Sequence, residues 1–476
     1  MNHTPSTPHT PHTPSTPGAP GAPGTTSAPS TTSAPSTTSA PSTTGRATDA
    51  GPGPEPLPGP GPARRAASAL ALRLWRRRRR RITFLLHNAY AIGGTVRTTF
   101  NLAAALAEEH EVEIVSMSRH RDTPRFDLDP RVRLVPLVDT RPGSPDLDEP
   151  AYARPAEDFP AAEKRHGQYS RLTDLRVRAY LEACEADVLI GTRPGINVYL
   201  ARFGPRRALR LAQEHLRHDA HGKRLRAVLA RHYRSMDAVV TMTEADARVY
   251  RRRMPLPGVR VVPVPNIVPP VDVPPSEGTS KVIAAAGRLA PGKRFDLLLE
   301  AFATVAAKEP DWELRIYGGG SAQGELQSLI DDLGLTGRAR LLGPRTPIEA
   351  EFARASLVVS ASDAESFGMT LVEAMRCGVP VISTDCPLGP AEIVTDGVDG
   401  RLVPVGDAPA LADAILDLIA DDTLRHRMAE AALESAHRYD PAPIVARYDQ
   451  LFATLRLGRA YRGVRRRLRR LRRLVR

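Results

Sequence analysis

Glu365-Ser366-Phe367-Gly368-Met369-Thr370-Leu371-Val372-Glu373, continuing as Ala374-Met375-Arg376-Cys377-Gly378-Val379-Pro380-Val381-Ile382-Ser383-Thr384, is the stretch whose reading decides the fold. Leu357 to Ser360 is a short apolar, β-branched run, so a strand ends just before it. Ser362 and Asp363 are turn formers, a helical run ends at Gly378, and Pro380-Val381-Ile382 opens the next strand. Glu365 therefore falls in a strand-to-helix loop at the carboxyl end of a strand, with Glu373 about one turn inside the helix. In an open α/β sheet that edge is where ligands bind. The amides of Gly368, Met369 and Thr370 stand at the helix N-terminus as donors suited to phosphate or hydroxyl oxygens. Two acids at this spacing alone also fit an ordinary exposed helix face; the surrounding residues carry the signal.

Those residues resemble the E-x7-E signature of family 4 glycosyltransferases, retaining enzymes with the GT-B fold. The likeness includes the Phe-Gly, the Leu-Val-Glu-Ala and the Gly-x-Pro-Val as well as the two acids. It implies an α/β chain of two facing Rossmann-like domains with parallel sheets. The nucleotide-sugar donor would bind mainly to the second and the acceptor to the first. It further implies that Glu365 contacts the donor sugar, that Glu373 holds the ribose hydroxyls, and that Phe367, Gly368, Met369, Thr370 and Leu371 line the donor site.

The same resemblance extends over residues 82–457, more loosely in the first half. In Gly287-Arg288-Leu289 and the following Lys293 it implies a grip on the donor diphosphate. The chemistry requires one, because a departing nucleoside diphosphate develops negative charge that must be neutralised. Arginine offers fixed forked donors and lysine a mobile point charge. Tyr317-Gly318-Gly319-Gly320 ends another strand, where bare backbone lets a nucleotide approach; a flexible turn is the alternative. Leu342 and Gly343 are placed near the base by resemblance. Gly93 and Gly94 lie in a strand, glycine loop, helix unit that resembles the family's first loop, facing diphosphate and acceptor. Gln213-Glu214-His215 ends a strand where the family often places a histidine near the reacting centre, so His215 joins Glu365, Arg288 and Lys293 as catalytic candidates. His87, Asn88, His218 and His221 are weaker candidates, each with a structural reading beside it. Asp127-Leu128-Asp129 and Asp146-Leu147-Asp148 match the metal-binding Asp-x-Asp of another glycosyltransferase fold, but neither ends a strand. They are expected to be surface acids, with no metal and no cofactor required.

The chain of 476 residues carries a formal charge of +13. Arg64 to Arg81 contains nine arginines and no acid, and Arg462 to Arg476 another nine; without these eighteen the remainder stands at −5. The basic character therefore belongs to two short arms and not to a body suited to specific nucleic-acid binding. Leu70, Leu72, Leu74 and Trp75 in the first arm, and Val464, Leu468, Leu471 and Val475 in the second, recur among arginines. That pattern suits an amphipathic helix on an anionic membrane surface, the alternative being a solvated basic linker. Three sparse cysteines argue for a reducing compartment and against a disulfide framework or zinc site. The amino terminus lacks the apolar core of a signal peptide, and no apolar run is long enough to span a bilayer. The expected location is cytoplasmic, with peripheral attachment to the inner face of the cell membrane.

The expected organisation is a disordered Thr/Pro/Ser/Ala-rich tail over 1–62 (a glycosylated stalk if exported) and a basic arm over 63–81. An N-terminal acceptor domain over 82–268, a hinge over 269–280 and a C-terminal donor domain over 281–440 follow, then a crossover helix over 441–458 and a basic arm over 459–476. Residues 140–165, rich in proline and acid, read as a surface insertion. The expected reaction moves a hexosyl group from a nucleotide-sugar, preferably a UDP-sugar, to a hydroxyl of a glycan, lipid-linked or cell-envelope acceptor. Rivals are a nucleotide-sugar epimerase or phosphorylase on the same fold, and a non-catalytic membrane or nucleic-acid binding protein.

Overall fold

Ile82-Thr83-Phe84-Leu85-Leu86 is apolar at nearly every position, the pattern of a strand covered on both faces. The computed structural model, which describes residues 62–474, places it as β1 (Arg81–Leu86) inside a seven-stranded sheet. Its companions are β2 (Glu111–Arg119), β3 (Val132–Asp139), β4 (Val188–Gly191), β5 (Leu209–Glu214), β6 (Ala238–Thr241) and β7 (Arg260–Pro263), in the order β3-β2-β1-β4-β5-β6-β7. All pairs are parallel, with Phe84 opposite Ile114 on one side and Ile190 on the other. Alternation along the strands splits the core. Phe84, Ile114, Ile190 and Val240 pack on one face, where the helix Gly94–Leu106 lies; Leu85, Val115, Leu189 and Val239 pack on the other.

A second, six-stranded parallel sheet follows: β8 (Val282–Ala286), β9 (Glu313–Tyr317), β10 (Ala339–Leu341), β11 (Leu357–Ser360), β12 (Val381–Thr384) and β13 (Gly400–Val403), in the order β10-β9-β8-β11-β12-β13. The edge strand β13 was not expected. Gly400-Arg401-Leu402-Val403 is short and half polar, yet a Cβ at Gly400 would lie 2.5 Å from the Val381 carbonyl oxygen, so only glycine permits this pairing. In each sheet the order reverses beside the first strand, between β1 and β4 and between β8 and β11. These switch points are where ligands collect at the carboxyl ends of strands.

Three expectations change in structure. The 140–165 segment is more than a surface insertion. It buries Phe159, which stacks on Tyr169 at 3.6 Å, packs on Tyr199 and joins the core on the Leu85 face of the sheet. The first basic arm forms a helix, Pro62–Arg76, but Trp75 is not on a free face. It is 2% exposed and packs on Phe452 at 5.4 Å; its Nε1 donates to Asp449 at 3.0 Å. Leu72 also packs against this core, while Leu70 and Leu74 are exposed. The crossover helix and the second arm are one continuous helix, Pro441–Leu474. It is pinned to the first lobe by Arg456 to Asp187 (2.6 Å), Arg459 Nε to Asp237 (2.7 Å) and Gln213 to the Tyr448 hydroxyl (2.7 Å). The tail over 1–61 and Val475 lie outside the described residues, and Pro62 already opens a helix.

Asp449 is fully buried and accepts hydrogen bonds from Trp75, from His110 Nε2 at 3.1 Å and from Arg76 Nε at 3.1 Å. Burial opposes its ionisation, but the His110 and Trp75 donors and the Arg76 charge overcome burial and hold its pKa below the usual range. Replacing it by alanine leaves those donors unpaired in the core. We expect Asp449→Ala to lose roughly 3 kcal/mol of stability, read as a lowered Tm in thermal unfolding. An unchanged Tm would mean that the arm is not part of the cooperative unit.

Candidate active site between the two lobes

The loops after β8 and β11 bring together residues far apart in sequence. After β8, Gly287 and Arg288 lead into a short turn, Pro291–Lys293. After β11, Ser362 and Glu365 precede the helix Met369–Arg376, whose capping residue Gly368 has φ +112° and makes no side-chain cap. Lys293 Nζ donates to Glu365 Oε1, and the Ser362 hydroxyl donates to the same oxygen at 2.7 Å. Arg288 is exposed, and its side chain makes no hydrogen bond or ion pair among the described residues. Glu373 lies one turn along the helix and is 6% exposed.

Other candidates are placed differently from their sequence reading. Phe367 and Leu371 are core residues: Phe367 packs edge-on against Tyr439 at 5.4 Å, and Leu371 is 1% exposed. Only their backbone is left for a ligand. Leu342, just beyond β10, is half-buried against the core. Gly318 has φ +151°, and a Cβ there would sit 1.8 Å from the Gly287 carbonyl oxygen; at Gly320 it would sit 2.1 Å from that of Leu289. The packing of the β8 and β9 loops demands these glycines by itself. Gly93 and Gly94 are the opposite case, since a Cβ at either meets nothing within 4 Å.

His215 follows β5, and its Nε2 is buried without a hydrogen-bond partner; burial lowers its pKa to about 4, so the ring is neutral. His87 is likewise held neutral at about 4 by burial and by the charges of Arg165 and Arg193; its ring bonds Tyr169 (2.8 Å) and Gln168 (2.9 Å). Asn88 reaches His120 at 2.9 Å. His221 is engaged with the buried Glu214 at 3.2 Å and His218 with Asp219 at 3.0 Å, both within the first-lobe packing. In the Asp-x-Asp tripeptides, Asp129 is paired with Arg131 (2.7 Å) and Asp146 with Arg176.

Sequence reasoning missed three residues that join the lobes. Arg97, on the first-lobe helix, reaches Glu373 at 3.0 Å and also donates to Glu349. Glu392 of the second lobe accepts from the backbone amides of Glu244 (2.9 Å) and Ala245 (2.7 Å) at the start of a first-lobe helix. Arg97 stands three residues after Gly94 in "GGTVR", a signal for which spacing alone supplied no partner.

The two kinds of glycine separate in experiment. Gly318→Ala should cost upwards of ~2 kcal/mol, from strain at positive φ and the backbone clash. Gly94→Ala should leave stability within ~0.5 kcal/mol while weakening turnover if substrate occupies the space beside it. Thermal unfolding and turnover of both variants check this, and a destabilised Gly94→Ala would place the constraint inside the protein.

The family model described as glycosyl transferases group 1 matches residues 272–435, and that described as a glycosyl transferase 4-like domain matches residues 93–267. An exopolysaccharide phosphotransferase of Streptomyces coelicolor is 34% identical over 385 residues, covering 79% of this chain but 41% of that protein. A poly(ribitol-phosphate) alpha-N-acetylglucosaminyltransferase of Staphylococcus aureus is 28% identical over 218 residues, 46% of this chain and 44% of that one. The chain thus spans less than half the length of these two relatives. Among solved structures, a single-residue mutant of S. aureus TarM in complex with Fondaparinux, alpha-GlcNAc-glycerol and UDP superposes with a TM-score of 0.66 at 18% identity, covering 78% of this chain and 99% of that one. With two all-parallel Rossmann-like sheets and both halves matched, the chain belongs to the group 1 glycosyltransferases and has the GT-B fold.

Proposed function

We propose that the chain is a retaining hexosyltransferase that moves a sugar from a UDP-sugar to a hydroxyl of a glycan, lipid-linked or cell-envelope acceptor. One observation carries this reading. Lys293 meets Glu365 at the switch point of the second sheet, with Arg288 on the loop after β8 and Glu373 on the helix after β11, and the first-lobe Gly93 and Gly94 have open space beside them. Support for the nucleotide comes from the TarM complex, which contains UDP, and support for the acceptor class from relatives named for exopolysaccharide and poly(ribitol-phosphate).

In the proposed reaction Arg288 and Lys293 neutralise the diphosphate as the glycosidic bond breaks. Glu373 holds the ribose and Glu365 orients the sugar. The acceptor hydroxyl attacks from the face the leaving group departs, through a short-lived oxocarbenium–phosphate ion pair, and the departing phosphate takes its proton. A neutral His215 can hydrogen-bond a sugar hydroxyl. No metal and no cofactor enter this scheme. Closure of the lobes excludes water and limits donor hydrolysis.

Among the described residues no helix is long and apolar enough to cross a membrane. We place the arms against an anionic membrane surface. Leu70 and Leu74 are exposed on one helix, and Leu457 is exposed on the long helix that packs beside it.

The test is binding and turnover of a nucleotide-sugar panel by wild type, Glu373→Ala and Lys293→Ala, with and without EDTA and with a donor-alone control. Binding of one UDP-sugar, lost in both variants and indifferent to EDTA, is the expected result. Conversion of donor without acceptor would instead favour an epimerase, and binding to no donor by folded protein would overturn the catalytic reading. Deleting 462–476 should shift the protein from anionic vesicles to the supernatant; equal binding by full-length and truncated protein would remove the membrane role of that arm.

A further inference from the structure

Arg97 belongs to none of the motifs used above, yet it makes the most buried charge contact between the lobes. Its Nη1 lies 3.0 Å from Glu373 Oε1, and its Nη2 donates to Glu349 Oε1. Both carboxylates come from the second lobe and are nearly sealed from solvent, with side chains 8% and 6% exposed. The second oxygen of Glu349 is buried without a hydrogen-bond partner, whereas the second oxygen of Glu373 is not among the buried unpartnered atoms. One guanidinium therefore serves two buried carboxylates, and only its forked geometry reaches both. The charged groups facing Glu373 are Arg97, Glu349 and Lys293, the last engaged with Glu365. The nearby Cys377 thiol is pushed up to about 12 by burial, Glu349 and Glu373, and stays neutral.

We propose that Arg97 is a positioning residue for nucleotide binding. From the opposite lobe it grips one oxygen of Glu373, supplies the cation beside that carboxyl group and leaves the other oxygen for ribose hydroxyls. The ribose site is then complete only when the lobes are together. This rests on the reading of Glu373 as the ribose-holding residue.

The electrostatics set the direction of the test. Burial pushes the Glu373 carboxyl up to about 7, against the pull of Arg97 and Lys293 and with the push of Glu349. The ionised carboxylate is acceptor-only at both oxygens, whereas protonation turns one of them into a donor that faces the guanidinium or the ribose hydroxyls. Nucleotide affinity should therefore rise with pH through that value and level off above it. Removing Arg97 leaves two buried carboxylates without their shared cation, which moves the rise to higher pH. Neutralising Glu349 lets Arg97 serve Glu373 alone, which moves the rise to lower pH.

UDP binding measured by calorimetry from pH 5.5 to 9 on wild type, Arg97→Gln, Arg97→Lys, Glu349→Gln and Glu373→Gln tests this. Ratios to wild type at each pH cancel the titration of the diphosphate itself. We expect Arg97→Gln to bind on the order of tenfold more weakly at pH 7, one unit of pKa being a factor of ten, and to recover towards wild type at high pH. Arg97→Lys should recover part of the loss, and Glu349→Gln should bind relatively better at low pH. Opposite displacements in Arg97→Gln and Glu349→Gln are something a merely structural role does not produce. Parallel pH profiles in all Arg97 and Glu349 variants, or tighter binding by Arg97→Gln, would overturn the proposal. If Glu373→Gln binds UDP as wild type does, the ribose reading of Glu373 fails instead, and the Arg97 proposal with it.

Discussion

Parallel pairing is the constraint on which the rest of this structure depends. A parallel strand cannot be reached by a hairpin, so every connection crosses over a face of its sheet and every strand ends at the same edge. Two consequences follow together. Both faces are covered, so the strands are apolar on both sides and alternate residues feed separate cores, as Phe84 and Leu85 do. The loops after β8 and β11, more than sixty residues apart in sequence, also open side by side where the strand order reverses. Lys293 meets Glu365 for that topological reason and no local one.

Much of this was legible because the relevant signals are local. Apolar runs such as Val188–Gly191 and Leu357–Ser360 marked strands to the residue. The Glu365 to Glu373 stretch showed its loop and helix through turn formers and a closing glycine. What escaped was whatever depends on a distant partner. Nothing near Trp75 reveals that its indole meets a carboxylate 374 positions away, so an arginine-rich amphipathic segment read as a free arm. Phe367 and Leu371 sit inside the stretch that resembles a donor-site motif, but both side chains are buried in the core. Gly318 was open to a ligand or a flexible-turn reading, and its actual constraint is the Gly287 carbonyl on another strand's loop.

The junctions of the chain share one chemical device, a carboxylate met by donors from a distant segment, buried at Asp449, Glu349 and Glu373 and exposed at Glu392. Asp449 on the long helix accepts from the arm and from His110; Glu392 accepts from the start of a first-lobe helix; Glu349 and Glu373 share Arg97. The buried contacts add modest net stability, because desolvation consumes most of the Coulomb gain, yet breaking one side is costly. They act chiefly by penalising every arrangement in which the partner is absent. A GT-B chain needs that between its lobes, where a purely apolar contact would tolerate sliding and so misplace loops that must meet within hydrogen-bond distance.

The same logic gives the Lys293–Glu365 pair a sense within the proposed reaction. Without donor, the ammonium has one carboxylate to answer, and Ser362 donates to the same oxygen. A diphosphate entering beside the unpaired Arg288 offers more negative charge than one carboxylate, so Lys293 gains by turning to it. Glu365 then loses its cation but keeps its Ser362 hydrogen bond, which holds the carboxylate in place with an oxygen newly open to a sugar hydroxyl. Donor binding would thereby exchange one ion pair for another, with the part-exposed Glu365 left to its Ser362 hydrogen bond. In that scheme neutralisation of the leaving group and exposure of the sugar-orienting carboxylate are a single movement of one lysine side chain.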